Sequence, residues 1–62
     1  MGKEEVIKRL KEHLRAKEKQ RGFLVGGDKY YCMHYIMDFL LLSKKQAKQF
    51  IKENLPALES FL

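Results

Sequence analysis

The run Tyr30-Tyr31-Cys32-Met33-His34-Tyr35-Ile36-Met37-Asp38-Phe39-Leu40-Leu41-Leu42 decides the fold. Nearly every position is apolar, and only His34 and Asp38 interrupt it, four residues apart and so on one face of a helix. A helix that is apolar all round is buried all round. This run is also too short, and too polar at two positions, to cross a bilayer, which takes about 20 apolar residues. It predicts a central helix over residues 29–42, packed by its neighbours. In a chain of 62 residues those neighbours cannot cover every side of it, so some apolar surface is left for a second copy or another protein.

Upstream, Gly26-Gly27-Asp28 reads as a turn, since both glycines tolerate positive φ. Two arrangements fit. Phe23-Leu24-Val25 tucks into the core as a loop while Asp28 caps the central helix, or residues 23–25 pair with residues 30–32 as a short hairpin. Further upstream, Val6, Ile7, Leu10 and Leu14 form one stripe at helical period and predict a first helix over residues 3–20. Glu4 and Glu5 open it, Lys17, Lys19 and Arg21 close it, and Gly22 comes next, an order that complements the helix dipole.

Downstream, Ser43-Lys44-Lys45-Gln46 is a capping box, with Ser at the N-cap and Gln three residues on. It starts a third helix over residues 44–54 that turns Ala47, Phe50, Ile51 and Leu55 inward. Pro56 ends that helix or opens a last turn, and Leu58, Phe61 and Leu62 make the tail apolar enough to dock. The expected fold is one all-α domain over residues 1–62, with three helices, a buried central one and a docked C-terminal turn. A domain this small buries only roughly 60% of its unfolded surface, so a homodimer through the central helix and the tail is expected.

The formal charge is +5. Residues 1–22 hold eight Lys/Arg against four Glu, residues 23–43 one Lys against two Asp, and residues 44–62 four Lys against two Glu. Two basic ends therefore flank a nearly neutral apolar middle. The start, Met1-Gly2-Lys3-Glu4-Glu5, lacks the apolar stretch of an export signal, and Val6 stands where an acylated N-terminus wants Ser or Thr. With a lone cysteine, Cys32, and no membrane span, a cytoplasmic protein is expected.

No chemistry announces itself. Cys32 and His34 lie two apart on a helix and point about 200° apart, which defeats a nucleophile–base pair. His34 and Asp38 face together and read as a structural or interfacial pair, one that makes association sensitive to pH. Cys32, His13 and His34 lack metal-ligand spacing, and Gly26-Gly27-Asp28-Lys29 lacks the length and the Ser or Thr of a phosphate loop. No catalytic residue, metal, cofactor or small-molecule substrate is expected.

Two surfaces remain. Tyr30, Tyr31, Met33, His34, Tyr35, Met37 and Asp38, with Phe61 of the tail, have the aromatic and Met-rich character of a protein interface. Lys44, Lys48 and Lys52 repeat at i, i+4 and i+8 with Lys45 beside them, and Lys8, Lys11 and Arg15 repeat on the first helix. Such stripes can track phosphates, although Glu12 and Glu18 dilute the second. The segment 42–51 resembles the first helix of a helix-turn-helix of the small phage-regulator or excisionase type, through Ser43, Gln46, Ala47 and Ile51. The resemblance implies a recognition helix after Asn54. The chain instead ends in Pro56-Ala57-Leu58-Glu59-Ser60-Phe61-Leu62, without Arg, Lys or Gln to read bases. The expectation is a non-enzymatic regulator or inhibitor that binds protein through its central helix. The alternative is a nucleic-acid binder that grips the backbone through its lysines.

Overall fold

A computed structural model describes residues 2–62; Met1, the first residue of the N-terminal stretch weighed for targeting signals, lies outside them. Helix α1 spans Lys3–Arg21, α2 Gly26–Leu40 and α3 Lys44–Asn54, and a 3₁₀ helix over Pro56–Phe61 closes the chain. The fold is all-α, with no strand among the described residues. α2 packs against each of the other three elements, and α3 also packs against the 3₁₀ helix.

α1 carries Glu4 and Glu5 in its first turn and Lys19 and Arg21 in its last, as the dipole favours. It ends at Gly22, which adopts φ 86° and donates its N–H to Glu18 O at 2.6 Å. A side chain at that left-handed φ would be strained. The Ser43–Gln46 capping box forms in both directions, Gln46 N to Ser43 Oγ at 3.2 Å and Ser43 N to Gln46 Oε1 at 2.9 Å.

α2 is displaced toward the N-terminus from its expected span. It starts at Gly26, because extended Val25 serves as N-cap and the Asp28 carboxylate, three residues on, accepts the Val25 N–H at 2.8 Å. Asp28 therefore caps the helix from inside its first turn. Gly26 and Gly27 are the first helical residues, not a positive-φ turn, and residues 30–32 are helical, so the hairpin is not adopted. The helix ends at Leu40 because Leu41 turns left-handed, at φ 54° and ψ 41°.

The core draws on every element. Val6, Leu10 and Leu14 of α1 meet Cys32, Met33 and Ile36 of α2, and Ala47, Phe50 and Ile51 close from α3. Leu55 and Leu58 are fully buried and Phe61 packs partly against the same core, so the tail docks. Pro56 occupies the first position of the 3₁₀ helix, where its missing N–H costs nothing.

Candidate protein-binding surface

The incomplete cover on α2 takes a definite form. Its core side is Cys32, Met33 and Ile36, and its outward side carries Tyr30, Tyr31, His34 and Asp38. Among the described residues six large apolar side chains are exposed, and five of them, Phe23, Tyr30, Tyr31, Phe39 and Leu41, lie in α2 or in the segments next to it. Leu41 is 87% exposed, the most of any of them.

One edge of this face is an aromatic ridge. Tyr31, Tyr35 and Phe39 recur every four residues, with ring centroids 6.2 Å apart in the first pair and 4.5 Å in the second. The ridge continues onto α1, where the His13 imidazole stacks on Tyr31 at 4.1 Å with planes 18° apart. A shallow depression lined by Arg9, Glu12, His13, Tyr31 and Tyr35 runs beside it. His13 is held below the usual histidine pKa, by burial first and by Lys17 and Arg21 with it, against the pull of Asp28. Elsewhere on α2, Lys29 Nζ lies 4.5 Å from the centre of the Tyr30 ring, within cation–π reach.

The predicted interface residues divide. Tyr30, Tyr31, His34 and Asp38 stand on the outward face, while Tyr35 and Met37 are half-buried at its borders. Met33 is 2% exposed and belongs to the core, so it is removed from the exposed contact surface assigned to it by sequence. It lies on the buried side of α2, a distinction that an all-apolar helix hides. Phe61 is half-buried against the core. His34 and Asp38 form no ion pair with each other or with any other group among the described residues. Sequence reasoning missed three contributors. Phe39 was legible as the next step of the Tyr31–Tyr35 spacing, but the stacking of His13 and the exposure of Leu41 depend on tertiary placement.

The lysines are on the surface as expected. Lys8, Lys11, Arg15, Lys44, Lys45, Lys48 and Lys52 are all exposed, and none enters an ion pair among the described residues. On α1, Lys8, Lys11 and Arg15 share one depression with Glu4 and Glu12, which weakens their joint field. On α3 the lysines run without an acid until Glu53.

Cys32 is fully buried. Burial, with Asp28 adding to it, pushes its thiol up to about 12, whereas a thiolate nucleophile needs a lowered value. Cys32 and His34 lie on opposite sides of α2, one in the core and one in solvent. No group of three or more His, Cys, Asp or Glu among the described residues is placed to hold a metal ion, and no helix of the described residues is long and apolar enough to cross a membrane.

Compared with protein-family models, curated proteins and solved structures, the chain matches none of them.

Proposed function

We propose that this protein is a small non-enzymatic regulator or inhibitor that acts in the cytoplasm by binding protein through the outward face of α2. The observation that carries this reading is the concentration of exposed aromatic and aliphatic side chains around one helix: Tyr30, Tyr31, Phe39 and Leu41 are each about half exposed or more. Aromatic residues at this density are enriched in interface cores, and they are costly to leave in water at roughly 25 cal/mol per Å² of apolar area.

A photo-reactive phenylalanine analogue placed at Tyr31, and in a separate chain at Lys48, tests the reading in the producing cell. A discrete protein adduct is expected from position 31 and none from position 48. A nucleic-acid adduct from position 48, with nothing from position 31, would replace this reading by the alternative.

That alternative, grip on a nucleic-acid backbone, is favoured by the acid-free row Lys44, Lys48 and Lys52 on α3. It predicts a steep loss of affinity with salt and little sequence preference.

A further inference from the structure

We propose that the partner of the α2 face is a second copy of this chain, the two α2 helices packing antiparallel so that each copy's His34 faces the other's Asp38. This rests on the reading above that the α2 face binds protein, and it makes a second copy the resting occupant of that face, which a target protein would displace.

Spacing points to the register. Tyr31, His34 and Asp38 stand at i, i+3 and i+7, one line along the exposed side of α2. Leu41 comes three residues later, just past the helix end. The line reads aromatic, imidazole, carboxylate, aliphatic. A symmetric dimer sets one patch against itself, so that if residue i meets residue j, then j meets i. Parallel packing about an axis along the helices would set Asp38 against Asp38 and His34 against His34. Antiparallel packing about an axis at the height of Ile36 does the opposite. It sets His34 against Asp38 at two places, and because residues 31 and 41 are equally far from that axis, it also sets Tyr31 against Leu41 at both ends.

Hydrogen bonding, imidazole N–H to carboxylate, and shape therefore select the same register. His34 and Asp38 have no partner among the described residues, so each is free to take one across the axis. Leu41 is held in a left-handed conformation at φ 54° and 87% exposed. A leucine so placed is unfavourable both in backbone and in solvation, and conformations of this kind concentrate at binding sites. In the dimer it covers Tyr31. Antiparallel packing also brings each α2 N-terminus beside the other copy's C-terminus, whose last turn carries no basic residue of its own.

Sedimentation equilibrium of the full chain, across concentration, tests this with four forms: the natural chain, His34→Asp, Asp38→His, and both together. Both positions are exposed, and a thermal melt of each form checks that it folds. The natural chain is expected to form a dimer. His34→Asp sets carboxylates together at two places and weakens the dimer by roughly tenfold or more, since like charges placed opposite each other are costly at an interface. Asp38→His weakens it less, and the double form regains the pairing. Leu41→Gly gives an independent arm, in which the dimer weakens while the fold gains stability.

A dimer indifferent to His34→Asp overturns the register. A monomeric natural chain that is crosslinked at position 31 to a different protein overturns self-pairing but leaves the protein-binding reading intact. A monomer that yields no adduct overturns both.

Discussion

The Arg21 guanidinium lies 2.6 Å from Asp28 Oδ2 and ties the end of α1 to the start of α2. The same carboxylate oxygen accepts the Val25 N–H at 2.8 Å. One side chain thus fixes the corner between the helices and caps the second of them. Each charge also sits where a helix dipole favours it, Arg21 in a last turn and Asp28 in a first. Beyond this corner α1 packs on α2, and His13 stacks on Tyr31 across the contact.

Removing Asp28 should therefore be costly at an otherwise short loop. Asp28→Ala leaves the Val25 N–H without its acceptor, and a lost cap of this kind destabilises by about 1–2 kcal/mol. In a domain of this size that lowers Tm by roughly 5–15 °C, read by circular dichroism. The pH dependence comes from the same contacts. Burial pushes the Asp28 carboxyl up, but the Val25 N–H and Arg21 together hold it below its ordinary value. A depressed folded pKa means that the stabilisation is present above the unfolded value of about 3.9 and is lost as pH falls through the lower folded one. The natural chain should lose stability in that acid window, and Asp28→Ala should flatten the loss.

His13 has the opposite sign. Burial and the neighbouring cations lower its pKa, so the folded state prefers the neutral ring stacked on Tyr31. The unfolded chain takes up a proton first, near pH ~6.5. Stability is full above that value and declines as pH falls toward the folded pKa. A proton-NMR titration of the imidazole signals should place His13 below the unfolded value, and His13→Leu should remove this part of the pH dependence. A His13 titrating above the unfolded value would contradict the stacked geometry.

Cys32 should be inert while the chain is folded. Its side chain is buried and its thiol is pushed up to about 12. A thiol reagent at mildly alkaline pH is expected to label it only in denaturant. Rapid labelling of the folded chain would place Cys32 outside the core.

The glycines make a comparison within one protein. Gly22 holds φ 86°, so Gly22→Ala should destabilise by about 1 kcal/mol. Gly26 and Gly27 are helical without positive φ, and an added Cβ meets nothing within 4 Å at Gly26 and only Val25 Cγ2 at 3.9 Å at Gly27. Gly26→Ala and Gly27→Ala should each stabilise by about 0.4–1 kcal/mol through the unfolded chain. Urea denaturation of the three variants reads the signs directly.

These positions also mark where the sequence was legible. α1 and α3 were readable from their stripes and from local signals, Gly22 and the Ser43–Gln46 box, because each depends on residues a few places away. The start of α2 was not. A glycine pair before a helix suggests a turn, and only the reach of Asp28 back to Val25 and Arg21 makes those glycines helical. The Ser43 box bounded the end of α2 only to within two residues, because the left-handed turn at Leu41 has no signal of its own. On the surface, the uncovered side of α2 was foreseeable from the all-apolar run. Its division was not, since Met33 and Tyr31 look alike until α1, α3 and the tail choose their sides.

The most direct test of antiparallel self-pairing joins two chains at the predicted register. Tyr31→Cys in one chain and Leu41→Cys in another are mixed in the folded state and treated with a short bismaleimide, and the joined peptides are identified by mass spectrometry. Antiparallel pairing about the height of Ile36 predicts that position 31 of one copy is linked to position 41 of the other, while each variant alone yields little product. Efficient linkage of 31 to 31 or 41 to 41, or none between 31 and 41, would contradict it.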